Sequence, residues 1–123
     1  MFVNFTNHPS TGWGEKQLLA AQRYGEVQDV AFPNVPPEYS AEDVAKLAQR
    51  SVQEILAKQP TVVLCQGEMT LTYQVVRLLR QQNVTVVAAC TERRVQQKIE
   101  SDGTMKKLAF FEFAGFRSYE ADI

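Results

Sequence analysis

The chain is short of the residues on which many kinds of chemistry depend. It holds one histidine in 123 residues, so a multi-histidine metal site cannot form within one copy. Its two cysteines, Cys65 and Cys90, cannot build a disulfide framework and stand in no metal-ligand spacing. No apolar stretch reaches the roughly 18 residues of a membrane-crossing helix. The start, Met1-Phe2-Val3-Asn4-Phe5, lacks the basic n-region and long apolar h-region of a signal peptide. An excess of one charge is also missing: 13 Lys and Arg against 14 Asp and Glu give a net charge of -1. Proteins that grip duplex DNA or membrane surfaces normally carry a basic excess. These absences predict a cytoplasmic protein with no membrane, duplex DNA, metal or cofactor among its partners. A small anionic ligand held by a few local groups stays open.

What is present is a globular composition, 45% hydrophobic and 22% charged, at the length of a single domain spanning 1–123. Short runs rich in Val and Phe alternate with helical periods. Residues 2–6 read as a first strand, 15–24 as a helix closed by Gly25, and 27–32 as a second strand. Pro33, Pro36 and Pro37 then forbid regular structure. Ser40 and Asp43 form a variant capping box for a helix in which Val44, Ala45, Leu47, Ala48, Val52, Ile55 and Leu56 follow a helical period, stopped by Pro60. Residues 61–65 and 84–89 are continuous apolar runs, as expected of strands buried on both faces of a parallel sheet. Between them, 71–82 reads as a third helix. Asp102-Gly103 is a turn signal that predicts a C-terminal antiparallel hairpin over 94–119. The expected fold class is α/β: a small Rossmann-like open sheet, mainly parallel in the order 2-1-3-4, with helices on both faces.

In such a sheet, ligands bind beyond the carboxyl ends of the strands where the chain order reverses. That selects four loops: Pro33 to Pro37, in which no candidate residue is named, and three that carry chemistry. The first, Asn7 to Trp13, carries His8, the one side chain of a type that titrates near neutrality. It also carries Asn7, Ser10 and Thr11, able to orient a phosphate or satisfy backbone groups, and Trp13, able to stack on a base or pack the loop. The second is Gln66-Gly67-Glu68-Met69-Thr70. Gly67 permits close backbone approach, the free N–H groups opening the helix suit an anion, and Thr70 can cap that helix or donate to phosphate. Glu68 can bind a ribose hydroxyl or act as a base. The third, Cys90-Thr91-Glu92-Arg93-Arg94, reads as a loop that places at least one arginine against an anionic ligand. The candidate catalytic residues are therefore His8, Glu68, Arg93 and Arg94. Asn7, Ser10, Thr11, Trp13, Gln66, Gly67, Thr70 and Thr91 are the candidate ligand contacts. Cys65 and Cys90 follow apolar runs and read as inert small hydrophobes. The cluster of Phe110, Phe111, Phe113, Phe116 and Tyr119 reads as core or a dimer interface.

The opening strand runs into Asn4-Phe5-Thr6-Asn7-His8-Pro9-Ser10 and is followed by a Gln-bearing helix. With Gly67-Glu68-Met69-Thr70 and Thr91-Glu92-Arg93-Arg94, this layout resembles the ring nucleases of type III CRISPR systems. Those are small accessory proteins related to the CRISPR-associated Rossmann-fold sensors. The resemblance implies a nucleotide-binding homodimer that holds a cyclic oligoadenylate across its two-fold axis. It implies metal-independent attack of a ribose 2′-hydroxyl on the adjacent phosphate, which destroys the messenger and switches off the antiviral response. Three other readings use the same residues: a non-catalytic cyclic-oligonucleotide or nucleotide sensor, a nucleoside-processing enzyme built on Glu68 with Glu92, and a structural subunit joined through its Phe-rich C-terminal segment.

Overall fold

Two apolar strands at the centre of one sheet organise the molecule. In the computed structural model, which describes residues 1–121, β1 (Phe2–Phe5) is buried at every position, and so is β3 (Val62–Cys65). Burial on both faces explains why neither strand alternates with polar residues. β2 (Val27–Asp29) pairs with one side of β1 and β3 with the other, both in parallel. β4 (Thr85–Ile99) runs parallel to β3 as far as Val87, and β5 (Met105–Ser118) pairs antiparallel with β4. The strand order is β2-β1-β3-β4-β5, which contains the expected 2-1-3-4 core and the antiparallel C-terminal strand.

The two faces of the sheet are covered unequally. α2 (Ala41–Leu56) and α3 (Met69–Gln81) lie on one face, where Val44, Ala48, Val52 and Ile55 meet Leu71, Val75 and Leu79 over Val3, Phe5, Val63 and Val86. The Ser40–Asp43 capping box forms in both directions. The other face is covered only by α1 (Glu15–Gln22) and the loop before it, with Ala21 and Trp13 packed over Phe2, Val62, Leu64 and Val87. The thin layer leaves room at one end of that face, and a cleft lies there.

Element ends differ from the sequence reading in a consistent way. β1, α1 and β2 stop earlier than expected, at Phe5, Gln22 and Asp29, and α3 starts earlier, at Met69. The large difference is at β4. Residues 90–94, expected as a loop, lie inside the strand, and the hairpin includes all of β4 and β5 rather than 94–119. The apolar run ends at Ala89 because β4 leaves β3 there; the strand itself continues, hydrogen-bonded only to β5. A register shift at Cys90/Thr91 marks the departure, a β-bulge of the kind that bends a ribbon away from its sheet. Beyond it, 91–99 and 105–113 form a two-stranded arm. Its turn is closed by hydrogen bonds from Glu100 N to Thr104 O (2.8 Å) and from Gly103 N to Glu100 O (3.0 Å). Gly103 sits at φ +87°, which this turn demands and glycine supplies without strain. No helix among the described residues is long and apolar enough to cross a membrane.

Candidate functional site

A buried polar cluster fixes the loop that follows β1. Asn4 is 1% exposed in the middle of an apolar strand. Its amide donates to the His8 carbonyl (2.9 Å) and to Asp29 Oδ1 (3.0 Å), and its Oδ1 accepts the Thr6 hydroxyl (2.8 Å). Asp29, at the end of β2, in turn accepts the Ser10 backbone N–H (3.1 Å to Oδ2). Trp13 Nε1 donates to the same His8 carbonyl (3.1 Å), and the Thr6 hydroxyl accepts the His8 N–H (3.1 Å). A buried amide left unpaired would cost about 1–3 kcal/mol, so this network holds the loop in one shape. The His8 backbone is pinned while its side chain remains exposed.

Across from this loop, β3 leads into Gln66 and Gly67. Gln66 Oε1 accepts the Ala89 N–H (2.9 Å), replacing a rung where β4 parts from β3. The two ends enclose a cleft of about 490 Å³ on the α1 side, lined by Thr6, Asn7, His8, Gly12, Trp13, Gly14, Gln17, Leu64, Gln66, Gly67, Ala89 and Thr91. It lies between the carboxyl ends of β1 and β3, where the order reverses, as the topology requires. A larger groove of about 720 Å³ lies on the other side of the same turn, walled by Met69, Tyr73, Val76, Arg80 and Tyr119. The smaller cleft is the better candidate. It gathers the imidazole, carboxamides and hydroxyls, whereas in the groove Arg80 is tied to Glu120 (3.1 Å) and the Tyr119 hydroxyl to the Cys65 carbonyl (2.6 Å).

The structure brings together Asn7, His8, Trp13, Gln66, Gly67 and Thr91. It places the other candidates elsewhere. Ser10 and Thr11 form the 3-10 turn Ser10–Gly12 and do not line the cleft. Glu68 and Thr70 are occupied with each other. Glu68 accepts the Thr70 hydroxyl (2.7 and 2.8 Å) and the N–H groups of Thr70 and Leu71 (both 2.9 Å). The expected free anion site at the start of α3 is thus filled by the chain's own carboxylate. The Thr70 hydroxyl, followed by the two backbone donors, holds the Glu68 carboxyl below its ordinary range. Gly67 serves a different approach from the one expected. A Cβ there would stand 2.4–2.6 Å from the Phe32 ring, so the glycine admits that ring.

The two arginines separate by strand parity. Opposed pairs in an antiparallel ribbon share a face, and neighbours along a strand point to opposite faces. Arg94, with Glu92 and Glu112, lies on the face turned away from the cleft and pairs with both acids (3.2 Å to Glu92). Arg93 shares the face of Thr91, on the cleft side, and has no ion pair among the described residues. Cys65 is buried, which pushes its thiol up to about 12, so it stays protonated and unreactive at neutral pH. Among the described residues, no group of three His, Cys, Asp or Glu side chains is placed to hold a metal ion.

The scaffold pair Asn4 and Asp29 was not singled out from the sequence. The available signal was an amide inside an otherwise apolar strand, which burial makes costly unless it is paired. Gln17, on the Gln-bearing helix α1, also reaches the cleft, although it was not among the named candidates.

Comparison with protein-family models matches residues 1–117 to the family described as Uncharacterized protein MJ1673, and the chain belongs to that family. Neither the curated proteins nor the solved structures contain a match.

Proposed function

We propose that this chain, as a member of that family, is a ring nuclease that binds a cyclic oligoadenylate in the β1–β3 cleft and opens it, ending a type III CRISPR antiviral signal. One observation carries the reading. The only imidazole of the chain stands exposed on a loop pinned by Asn4, Thr6 and Trp13, in a cleft of about 490 Å³ at the switch point. Such a volume suits a nucleotide-sized group. Asn7, Thr91 and the Gln66 amide nitrogen supply donors around it, and Arg93 lies on the adjoining face of the arm.

The reaction proposed is internal transesterification. His8 takes the proton of a ribose 2′-hydroxyl, the 2′-oxygen bonds to the adjacent phosphorus, and the bond from phosphorus to the 5′-oxygen breaks. Water supplies the proton to the leaving oxygen. The product is a linear oligoadenylate with a 2′,3′-cyclic phosphate and a free 5′-hydroxyl. No metal takes part. The pinned loop contributes positioning, and donors in the cleft stabilise charge on the phosphoryl oxygens. Glu68 has no part in this step, because its carboxylate caps α3 outside the cleft.

The test is incubation with cyclic tri-, tetra- and hexa-adenylate in EDTA, followed by mass analysis. Linear products ending in a cyclic phosphate support the proposal, with His8→Ala slowing them by about 10²–10⁴-fold. An intact but bound ring would make the protein a sensor. No binding would overturn the assignment.

A further inference from the structure

The arm has two unlike faces. Thr91, Arg93, Val95, Gln97 and Ile99 share one with Met105, Lys107, Ala109, Phe111 and Phe113; the other carries Glu92, Glu112, Arg94, Lys98 and Lys106 with Gln96, Leu108 and Phe110. On the first face Val95, Ile99, Met105 and Phe111 are 50%, 73%, 62% and 70% exposed. At side-chain areas near 150–250 Å², these four leave on the order of 400 Å² of apolar surface open, within the range of the largest patch on a typical monomer. The face leads toward the cleft wall, because Phe113 packs on Phe116 (centroids 4.9 Å apart) and Thr91 and Ala89 line the cleft, while the Gln97–Lys107 pair crosses it nearer the tip.

A lone two-stranded ribbon is at best marginally stable in water, so this face needs a cover that every molecule can find. Another copy of the same chain meets that requirement. Two such faces together would bury on the order of 800 Å² of apolar area, and their polar flanks bring the total near the lower bound of about 1,200 Å² for a specific interface. We propose that the apolar face of the arm docks on the same face of a second copy, the arms running antiparallel, and that each arm tip closes the partner's cleft.

The arrangement follows from length. The arm is roughly 30 Å long at a strand rise of about 3.3 Å per residue. Antiparallel stacking therefore sets the tip of one arm over the base of the other, where Thr91 opens onto the cleft. Charge makes the contact ligand-sensitive. This face carries Arg93 near the base and Lys107 near the tip, and no acid. Stacking brings Arg93 toward the partner subunit's Lys107, leaving a positive charge that a bridging phosphate neutralises. The inference deepens the proposed function by naming the contact that joins two clefts on one ring. The contact itself rests on the arm alone; only the role of the bridging phosphate rests on that reading.

The test is the mass of the unliganded chain in solution, by light scattering at tens of micromolar. The expected value is twice 13.9 kDa. The double substitution Val95→Lys with Phe111→Glu should return it to the monomer, since both side chains are exposed in the single copy and the body does not need them to fold. Leu108→Lys, on the opposite face, should leave the dimer intact. A wild-type monomer, or a dimer that survives the double substitution by pairing along the β5 edge, would overturn the inference. Adding cyclic tetra-adenylate separates the two proposals. A dimer lost only in the double variant, with no ring bound by the wild type, keeps the interface and removes the ring nuclease. Ring cleavage at an undiminished rate by the monomeric variant keeps the chemistry and overturns closure of the cleft by the partner. Lys107→Ala should weaken ring binding several-fold, and unchanged affinity would likewise count against that closure.

Discussion

The body and the arm solve the problem of holding a strand in opposite ways. In β1 and β3 every side chain is buried, and helices cover both faces of the sheet. In the arm most side chains are exposed and the only partner of each strand is the other. The body is stabilised by area removed from water, and among the described residues its buried polar exceptions are Asn4 and Thr6, in the network that shapes the cleft, and Ser51 on α2, whose hydroxyl donates to the Leu47 carbonyl. The arm gains little from burial within one copy. The difference separates the two tasks assigned above: the body holds the cleft rigid, and the arm presents a surface.

The contrast is sharpest for a large core side chain. Phe5→Ala removes a buried ring that packs on Phe32 at 4.9 Å and should cost about 3–5 kcal/mol by urea unfolding. Leu108→Ala on the arm should change stability by no more than about 0.5 kcal/mol. Near-equal losses would erase the distinction between the regions. Asn4→Ala comes next, at up to about 3 kcal/mol, because it strips partners from Thr6, His8 and Asp29 at once. It should also speed hydrogen exchange of the Ser10 amide, which leans on Asp29; unchanged exchange would mean the loop is held by other contacts. Gly67→Ala should cost about 1–3 kcal/mol from overlap with the Phe32 ring. Combining it with Phe32→Leu should restore part of that loss, and strict additivity of the two would show that the ring is not what the glycine admits.

The smallest effect concerns pH. Glu68 is held below its ordinary value of 4.5 by Thr70 and Leu71. A lowered carboxyl stabilises the fold above its unfolded value, and the contribution is lost as pH falls through the folded value. The stability gap between wild type and Glu68→Gln should therefore shrink between about pH 6 and about pH 3. A gap independent of pH would mean the carboxylate does not cap α3 in solution.

The same division explains what could be read from the sequence. Where burial imposes a pattern, the residues announce it: the apolar run 61–65 contains β3, the Ser40–Asp43 cap forms, and the apolar period of α2 supplies its buried side, with Leu47 and Leu56 at the margin. The strand order follows from alternation and crossover handedness. In the arm no core imposes a pattern, so Thr91-Glu92-Arg93-Arg94 looks like a loop although it is strand. The cleft was legible as a place, since the switch point follows from topology, and half of its expected residues gather there. The rest were not, because Glu68 and Thr70 spend their polar groups on each other, Ser10 is held through its backbone N–H by Asp29, and Arg94 pairs with Glu92 and Glu112, and only three-dimensional pairing reveals that.

The most direct test of the central claim is a map of backbone amide shifts by two-dimensional NMR as cyclic tetra-adenylate is added. The account predicts perturbations concentrated at residues 6–17, 66–67 and 89–93 and at the arm tip near Lys107, with α2 and α3 unmoved. Shifts confined to the groove of Tyr73, Arg80 and Tyr119, or none at all, would contradict it.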